Sequence, residues 1–281
     1  MSASDPSPAL LGIGDNVVDF YKDRGEFFPG GNALNVPVLA KRYGLARAGY
    51  IGLIGSDREG EHVRDSLMRE GLWIDRLRQA QGPNGRAVVA LDPHGDRVFV
   101  ASNKGGIRRS LSLRMDSEDI AAIESYGNVH SSVFSFLEHE LPRIRRHARS
   151  VSFDFSTRHD SDYLAEVCPH ITAAFFSGST MNEAEIAALI AAVSRFGVET
   201  IGITRGSDGA IWSHCGKSYR QGIKPATVVD TLGAGDSFLA GYLTGILTGR
   251  PVEAALDFAA SCAAETCGYY GAFGYPCRPA Q

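Results

Sequence analysis

A chain of 281 residues, 44% hydrophobic and 21% charged, suits one large α/β domain or two small ones and is too apolar to stay disordered. Its net charge of −4 excludes a dedicated nucleic-acid or polybasic membrane surface. No apolar run approaches the ~18 residues that span a bilayer, and the five scattered cysteines (Cys168, Cys215, Cys262, Cys267, Cys277) form no Cys-x-x-Cys, so free thiols in the cytoplasm are expected rather than disulfides or a zinc site.

Met1 to Pro8 is small, polar and proline-bearing, reads as a frayed tail and lacks the basic start and apolar core of a signal peptide. Ala9 to Ile13 reads as a buried strand ending in Gly14-Asp15-Asn16. Val17 to Phe28 predicts a hairpin around Lys22-Asp23-Arg24-Gly25. Gly30-Gly31-Asn32 then introduces a helix to Tyr43, stopped by Gly44, with Asn32 as its N-cap and Pro37 expected in the first turn, where a missing N–H is harmless. Tyr50 to Ile54 reads as a strand and Glu59 to Glu70 as a helix capped by Gly71, which completes a first parallel β-α-β rhythm. Arg86 to Leu91 and Arg97 to Ala101 flank Asp92-Pro93-His94-Gly95-Asp96, a strong turn signal, and predict a second hairpin. Hairpins from two places in the chain can pair into a small sheet, expected here as a lid over the strand ends of the main domain.

From Ser117 the alternation becomes regular. Helices are predicted over Ser117 to Ser125, Glu138 to His147, Ser161 to Val167 and Asn182 to Phe196; strands over Asn128 to Phe134, Ser150 to Phe155, Ala173 to Ser177 and Glu199 to Thr204. Such a run implies an α/β fold with a mostly parallel sheet covered by helices on both faces, binding ligands at the C-terminal strand ends. Asp15, Asp154, Ser177, Thr204 and Asp230 fall at or near such ends. The basic cluster Arg143, Arg145, Arg146, His147 and Arg149 has the spacing of a solvated helix side.

Lys224 to Val229 contains the β-branched run Thr227-Val228-Val229 and predicts a strand; Phe238, Leu239, Tyr242, Leu243, Ile246 and Leu247 recur at helical spacing after it. Between them lies Asp230-Thr231-Leu232-Gly233-Ala234-Gly235-Asp236. A helix that opens on a glycine turn presents unpaired N–H groups and the positive end of its dipole, which together attract an anion. Local spacing leaves two readings of Asp236: a proton acceptor beside that anion hole, or a first-turn acid that complements the dipole. Thr204-Arg205-Gly206-Ser207-Asp208-Gly209 runs into Ala210-Ile211-Trp212-Ser213, another strand, so a dinucleotide fold, which needs a helix there, is excluded; the segment reads either as a hairpin turn or as a polyphosphate-binding loop.

Asp-Thr-x-Gly-Ala-Gly-Asp resembles the C-terminal signature of the ribokinase-like, PfkB-type carbohydrate kinases. That resemblance implies a three-layer ribokinase-like domain over residues 1–281, with lid segments at about 17–28 and 86–102. It makes Asp236 the general base, gives the transferring phosphoryl group to the backbone of Gly233, Ala234 and Gly235, and gives Asp230 a share in a monovalent cation site, K+ being the candidate. The cofactors it implies are ATP and Mg2+. Thr204, Gly206 and Gly209 match its nucleotide motif, with Ser177 at the adjoining strand end. Gly30-Gly31-Asn32-Ala33-Leu34-Asn35 is similar to its sugar motif, in which Gly31 lets a polyol approach the backbone and Asn35 offers both a donor and an acceptor; Asp15 and Asp19 resemble the acids that bind sugar hydroxyls, Asp19 being equally readable as a solvent-facing hairpin residue.

Asp154-Phe155-Ser156-Thr157-Arg158 resembles an Asp-x-Asn-x-Arg segment with Ser156 in place of Asn; Arg158 either steadies a phosphate or is solvated. Asn182 to Glu185 gives an Asn-x-x-Glu several residues beyond its expected strand, and registering the strand end gives Ser177-x-x-Thr180 instead, so the Mg2+-organising role is unassigned. Within the family, Gly-Asp-Asn-Val-Val-Asp, Asp-Arg-Val-Phe and Tyr-Tyr-Gly-Ala are most similar to the fructoselysine 6-kinase branch, which implies phosphorylation of a fructosamine at a primary hydroxyl, O6, with Arg97 and Asn103 as further substrate contacts. Rival readings are a family kinase for fructose, ribose or a nucleoside, and a ligand-sensing pseudokinase, whose sign, loss of Asp236 or of the glycine turn, is missing. A lid carrying Phe20, Tyr21, Phe27 and Phe28 suggests pairing with a second copy as a homodimer. No nucleic-acid or membrane partner is expected.

Overall fold

The computed structural model describes residues 7–91 and 97–279; the turn Asp92–Asp96 and the side chains of Leu91 and Arg97 lie outside the described residues. Among the described residues thirteen strands and eight α-helices run β1 (Ala9–Gly14), β2 (Val17–Tyr21), β3 (Glu26–Gly30), α1 (Asn32–Arg42), β4 (Arg47–Ile54), α2 (Arg58–Arg69), β5 (Leu77–Gln79), β6 (Arg86–Leu91), β7 (Arg97–Ser102), α3 (Ser117–Tyr126), β8 (Asn128–Ser132), α4 (Leu141–His147), β9 (Ser150–Asp154), α5 (Ser161–Val167), β10 (Ala173–Ser177), α6 (Glu183–Ser194), β11 (Thr200–Thr204), β12 (Ala210–His214), β13 (Lys217–Gln221), α7 (Ala234–Leu247) and α8 (Val252–Thr266).

Nine strands form the main sheet in the order β13-β12-β11-β10-β9-β8-β1-β4-β5, parallel except for the β12 and β13 pairings at one edge. Neighbouring residues face opposite layers: Leu11 and Ile13 of β1 and Phe176 of β10 join Ile120, Ile144, Leu164 and Leu189 from α3 to α6. Leu10 and Phe175 join Leu34, Val63, Leu239 and Leu256 from α1, α2, α7 and α8. Burial of both faces explains why these strands read as continuous apolar runs; each large apolar side chain so buried contributes roughly 1.5–3 kcal/mol. Arg143, Arg145, Arg146, His147 and Arg149 are exposed or half-buried on and just after α4.

The two hairpins do combine. β2 pairs antiparallel with β3 and parallel with β6, and β6 pairs with β7, which gives a separate four-stranded sheet β3-β2-β6-β7. The β3 edge is covered by an antiparallel bridge from Phe27 to Cys277. Tyr21, Phe27 and Phe28 are buried within the chain, with Tyr21 packed on Phe28 and Tyr270, so they are not the surface the sequence suggested for a second copy. Among the described residues the large apolar side chains exposed on this sheet are Val98, Phe99 and Val100 on β7.

Three local expectations are corrected. Pro37 lies inside α1, not in its first turn; it withholds the N–H that would pair with the Ala33 carbonyl, and both groups press onto β1 at Gly12, where a Cβ would come within 2.1 Å of the Ala33 oxygen. Asn32 is the first helical residue and Gly31 (φ 109°) the N-cap, without a side-chain cap. Lys224 to Val229 forms no strand: Val228 and Val229 are exposed, and the Val229 and Asp230 N–H groups donate to the Cys267 carbonyl at the end of α8.

Candidate active site

A cavity of about 820 Å³ lies between the small sheet and the C-terminal ends of the main sheet. Asp15, Asp154, Ser177 and Thr204 line it from the main-sheet ends, Asp19 from β2, Gly31, Asn32 and Asn35 from the start of α1, and Gly233, Gly235 and Asp236 from the start of α7. Residues more than 200 positions apart in sequence meet because α1 and α7 pack side by side with their N-termini at the same end of the sheet.

The turn before α7 is held from several sides. Asp230 is buried, and its Oδ1 accepts the Leu232 N–H at 2.6 Å, while Oδ2 accepts the Tyr21 hydroxyl at 2.5 Å and the Gly271 N–H at 3.0 Å. Three donors therefore hold this carboxylate in place under the turn. Gly233 has φ 80°, and a Cβ on it would meet Ala272 at 2.6 Å, so both backbone and packing demand glycine there. A Cβ on Gly235 would meet nothing within 4 Å, so this glycine keeps open the space above the first-turn amides. The Ala234 N–H donates to the Thr231 carbonyl at 3.2 Å. Behind the turn, Gly241 and Gly245 bring α7 against Ala259 and Ala255 of α8, which anchors the helix.

Asp236 sits in a net of amides. Asn35 Nδ2 donates to its Oδ2 at 2.6 Å, and Asn32 Nδ2 donates both to its Oδ1 at 2.8 Å and to Asp154 Oδ2 at 2.7 Å. Burial raises the Asp236 pKa, and the Asn35 and Asn32 amides act against that rise. Burial, with Asp236 and Asp15 nearby, pushes Asp19 up to about 7. Burial also pushes Asp154 up to about 7, opposed by the Ser156 N–H and reinforced by Asp236 and Asp15. Asp15 Oδ1 accepts from the Ser132 and Ser135 hydroxyls at 2.7 and 3.0 Å and from the Ala33 N–H at 3.1 Å, which ties β1, β8 and α1 together.

Other expected contacts lie elsewhere. Gly209 (φ 79°) closes a turn from β11 into antiparallel β12, and neither it nor Gly206 lines the cavity. The Arg158 guanidinium lies over the Tyr163 ring, 3.4 Å from its centroid, and Nε donates to Asp160 at 3.2 Å. Asn103 accepts the Arg86 N–H and donates to the Asn84 carbonyl, staying outside the cavity wall. Arg97 lies outside the described side chains. Asn182 and Glu185 form the capping box of α6, each side chain accepting the other's backbone N–H. Among the described residues no group of three or more His, Cys, Asp or Glu is arranged to hold a metal.

Sequence reading missed the bridging part of Asn32, the buried His130 beneath it, and a mouth lined by Phe99, Phe134, Phe136, Lys104 and Arg108. Asn32 carried a signal, standing beside the glycines of the sugar motif, whereas His130 on β8 had none.

One cavity thus brings together the glycine turn at the N-terminus of α7, the amide-held Asp236 and the acids Asp15, Asp19 and Asp154. Residues 5–276 match the pfkB family carbohydrate kinases, and the chain belongs to that family; it is an ATP-dependent carbohydrate kinase. It is 48% identical over 266 residues to fructosamine kinase FrlD of Bacillus subtilis (strain 168), covering 95% of this chain and 93% of that protein. It is 35% identical to fructoselysine 6-kinase of Shigella flexneri, covering 94% and 99% of the two chains. Arabidopsis thaliana ribokinase, solved with ribose and ATP, superposes with a TM-score of 0.80 at 22% identity, covering 95% of this chain and 94% of that one, and so shares the ribokinase-like fold.

Proposed function

We propose that this chain transfers the γ-phosphoryl group of ATP to the O6 hydroxyl of a fructosamine, a sugar–amine adduct of the fructoselysine type. The observation that carries the chemistry is Asp236, held by Asn32 and Asn35 at the mouth of α7 next to the open space above Gly235. The similarity to proteins named for fructosamine and fructoselysine supports the acceptor. In this reading Asp236 takes the hydroxyl proton as the new O–P bond forms and the bond to the ADP oxygen breaks. The Gly233 and Gly235 amides, with the α7 dipole, stabilise charge on the group in transit, while the Ala234 amide serves the turn. Asp15, Asp19, Gly31 and Asn35 hold the sugar hydroxyls. Thr204 and Ser177 lie on the nucleotide side. Gly206, Gly209 and Arg158 join that side on nucleotide binding, as Arg97 and Asn103 do for the acceptor. Mg2+ bound with the nucleotide neutralises phosphate charge.

An ADP-release assay comparing fructoselysine, fructose, ribose and adenosine with Mg-ATP tests the acceptor: highest kcat/KM on fructoselysine is expected, and preference for another acceptor rejects the fructosamine assignment. Asp236→Asn tests the base. It is expected to fold, bind ATP and lose ~10²–10⁴ in kcat, the range for positioned base catalysis; near-normal turnover removes Asp236 from that role. We place the protein in the cytoplasm with five free thiols, and as a homodimer joined through the lid, now at the exposed β7 edge.

A further inference from the structure

Asp236 and Asp154 approach the same side-chain amide, and two carboxylates that close ordinarily share a proton, which takes one of them out of service as a base. Here the Asn32 Nδ2 spends its hydrogens on them, one each. Its Oδ1 must then accept, and it faces His130 Nε2 at 2.8 Å, so that ring nitrogen carries the hydrogen. The other ring nitrogen, Nδ1, is 2.8 Å from the Ser152 hydroxyl of β9; with the hydrogen on Nε2 it must accept, so it takes the Ser152 proton in preference to the Val129 carbonyl, which lies farther from that hydroxyl at 3.2 Å. His130 is fully buried on β8, and burial lowers it to about 4, which keeps the imidazole neutral. A flipped Asn32 amide would turn its oxygen toward two acids, so the acids set the orientation and the His130 N–H completes it by donating to Oδ1.

We infer that Ser152, His130 and Asn32 form a positioning relay that fixes the Asn32 amide between Asp154 and Asp236, so that Asp236 stays ionised and aimed as the base. This rests on the base role proposed above for Asp236. The groups facing the pair are Asp15 after β1, Asp19 on β2, Asn35 on α1, and Lys104 and Arg108 at the cavity mouth; the acids favour a proton on the cluster, and the amides and cations oppose one. Each carboxylate receives two N–H donors, Asp236 from Asn35 and Asn32 and Asp154 from Asn32 and Ser156, so the bridge opposes a proton on either one.

The test is the pH profile of kcat in Asn32→Ala, His130→Ala and His130→Gln, with Asp236→Asn beside them. Asn32→Ala is expected to lower kcat ~10-fold or more at pH 7, move the acid limb to higher pH by about one unit, and recover part of the loss near pH 9, as removal of one charge-assisted hydrogen bond implies. His130→Ala should move the limb the same way by less, and His130→Gln, whose amide can still donate to Asn32, should restore it. An unmoved acid limb in Asn32→Ala, with Asp236→Asn inactive, overturns the relay and leaves the base; an active Asp236→Asn overturns the base itself. A loss confined to acceptor KM makes Asn32 a substrate ligand and also overturns the relay. Nitrogen-15 NMR of the intact wild-type protein gives a check that needs no variant: His130 should be the neutral Nε2–H tautomer from pH 5 to 8, and the Nδ1–H tautomer contradicts the assigned hydrogen bonds.

Discussion

Asp19→Asn is expected to make the protein more stable at pH 8 and a poorer kinase. Asp19 is buried on β2, and its folded carboxyl is raised from 3.8 to about 7 by burial, then by Asp236 and Asp15. Between pH 3.8 and about 7 the folded protein therefore binds more protons than the unfolded chain, so stability falls as pH rises through that window and stays low above it. At about 1.36 kcal/mol per pKa unit the loss reaches ~4 kcal/mol, an upper bound for one substitution because neighbouring acids remain. An isosteric Asn removes the charge and keeps the shape beside Gly30, which leaves no room for a larger group near Oδ2. At ~2 °C per kcal/mol for a chain of this size, the variant should melt several degrees above wild type at pH 8, and the gap should close by pH 4. Acceptor KM should rise while ATP KM holds. A melting difference that is the same at both pH values, or that is largest at pH 4, refutes the argument.

The two turn glycines should respond in opposite ways. Gly235→Ala places a methyl in open space within the first turn of α7, gaining up to ~1 kcal/mol of helix propensity while blocking the phosphoryl position, so kcat falls in a protein that is at least as stable. Gly233→Ala meets positive φ and Ala272 at 2.6 Å and should destabilise by ~2 kcal/mol or more, measured by denaturant midpoint. Tyr21→Phe removes the hydroxyl from Asp230 but keeps the ring on Phe28 and Tyr270, and should lower the denaturant midpoint by the equivalent of ~1–3 kcal/mol, the range for a buried acceptor that loses a charged hydrogen bond; an unchanged midpoint rejects a structural part for that bond. Phe99→Lys on the exposed β7 edge should lower the mass seen by light scattering if the lid joins two copies, and an unchanged mass rejects that edge.

Elements whose buried face spans the whole segment were legible: α5 (Ser161–Val167) and β10 (Ala173–Ser177) have the bounds their patterns predict, since strand and helix periods there coincide with burial. The small sheet was legible through its two turn signals, although which hairpin strands pair was set by tertiary contact, β2 against β6. Segments whose conformation is decided by a distant partner were not. Thr227-Val228-Val229 has strand propensity, but the Val229 and Asp230 N–H groups are taken by the Cys267 carbonyl after α8, and context overrides propensity there. β5 is three residues long and escapes any periodicity.

The same distinction separates the parts of the site. Asp15, Asp19, Asn35 and Asp236 stand in short motifs that combine a turn with a side chain, so their types and spacing announce them and the structure gathers them on one cavity. Asn182 and Glu185 show how spacing misleads in the other direction: an Asn-x-x-Glu is also what a helix N-terminus requires, and α6 uses it so. Asn32 is the reverse case, a residue whose type predicts a cap but whose neighbour Gly31 takes that position, releasing the amide to reach Asp154 and Asp236. Once the amide is free, its oxygen needs a fixed donor, and a buried strand is where a neutral histidine can be held without competing water. His130 therefore belongs to the site for a reason no local pattern expresses: its partner lies 98 positions away, and only the packing of α1 over β8 brings the two within 2.8 Å.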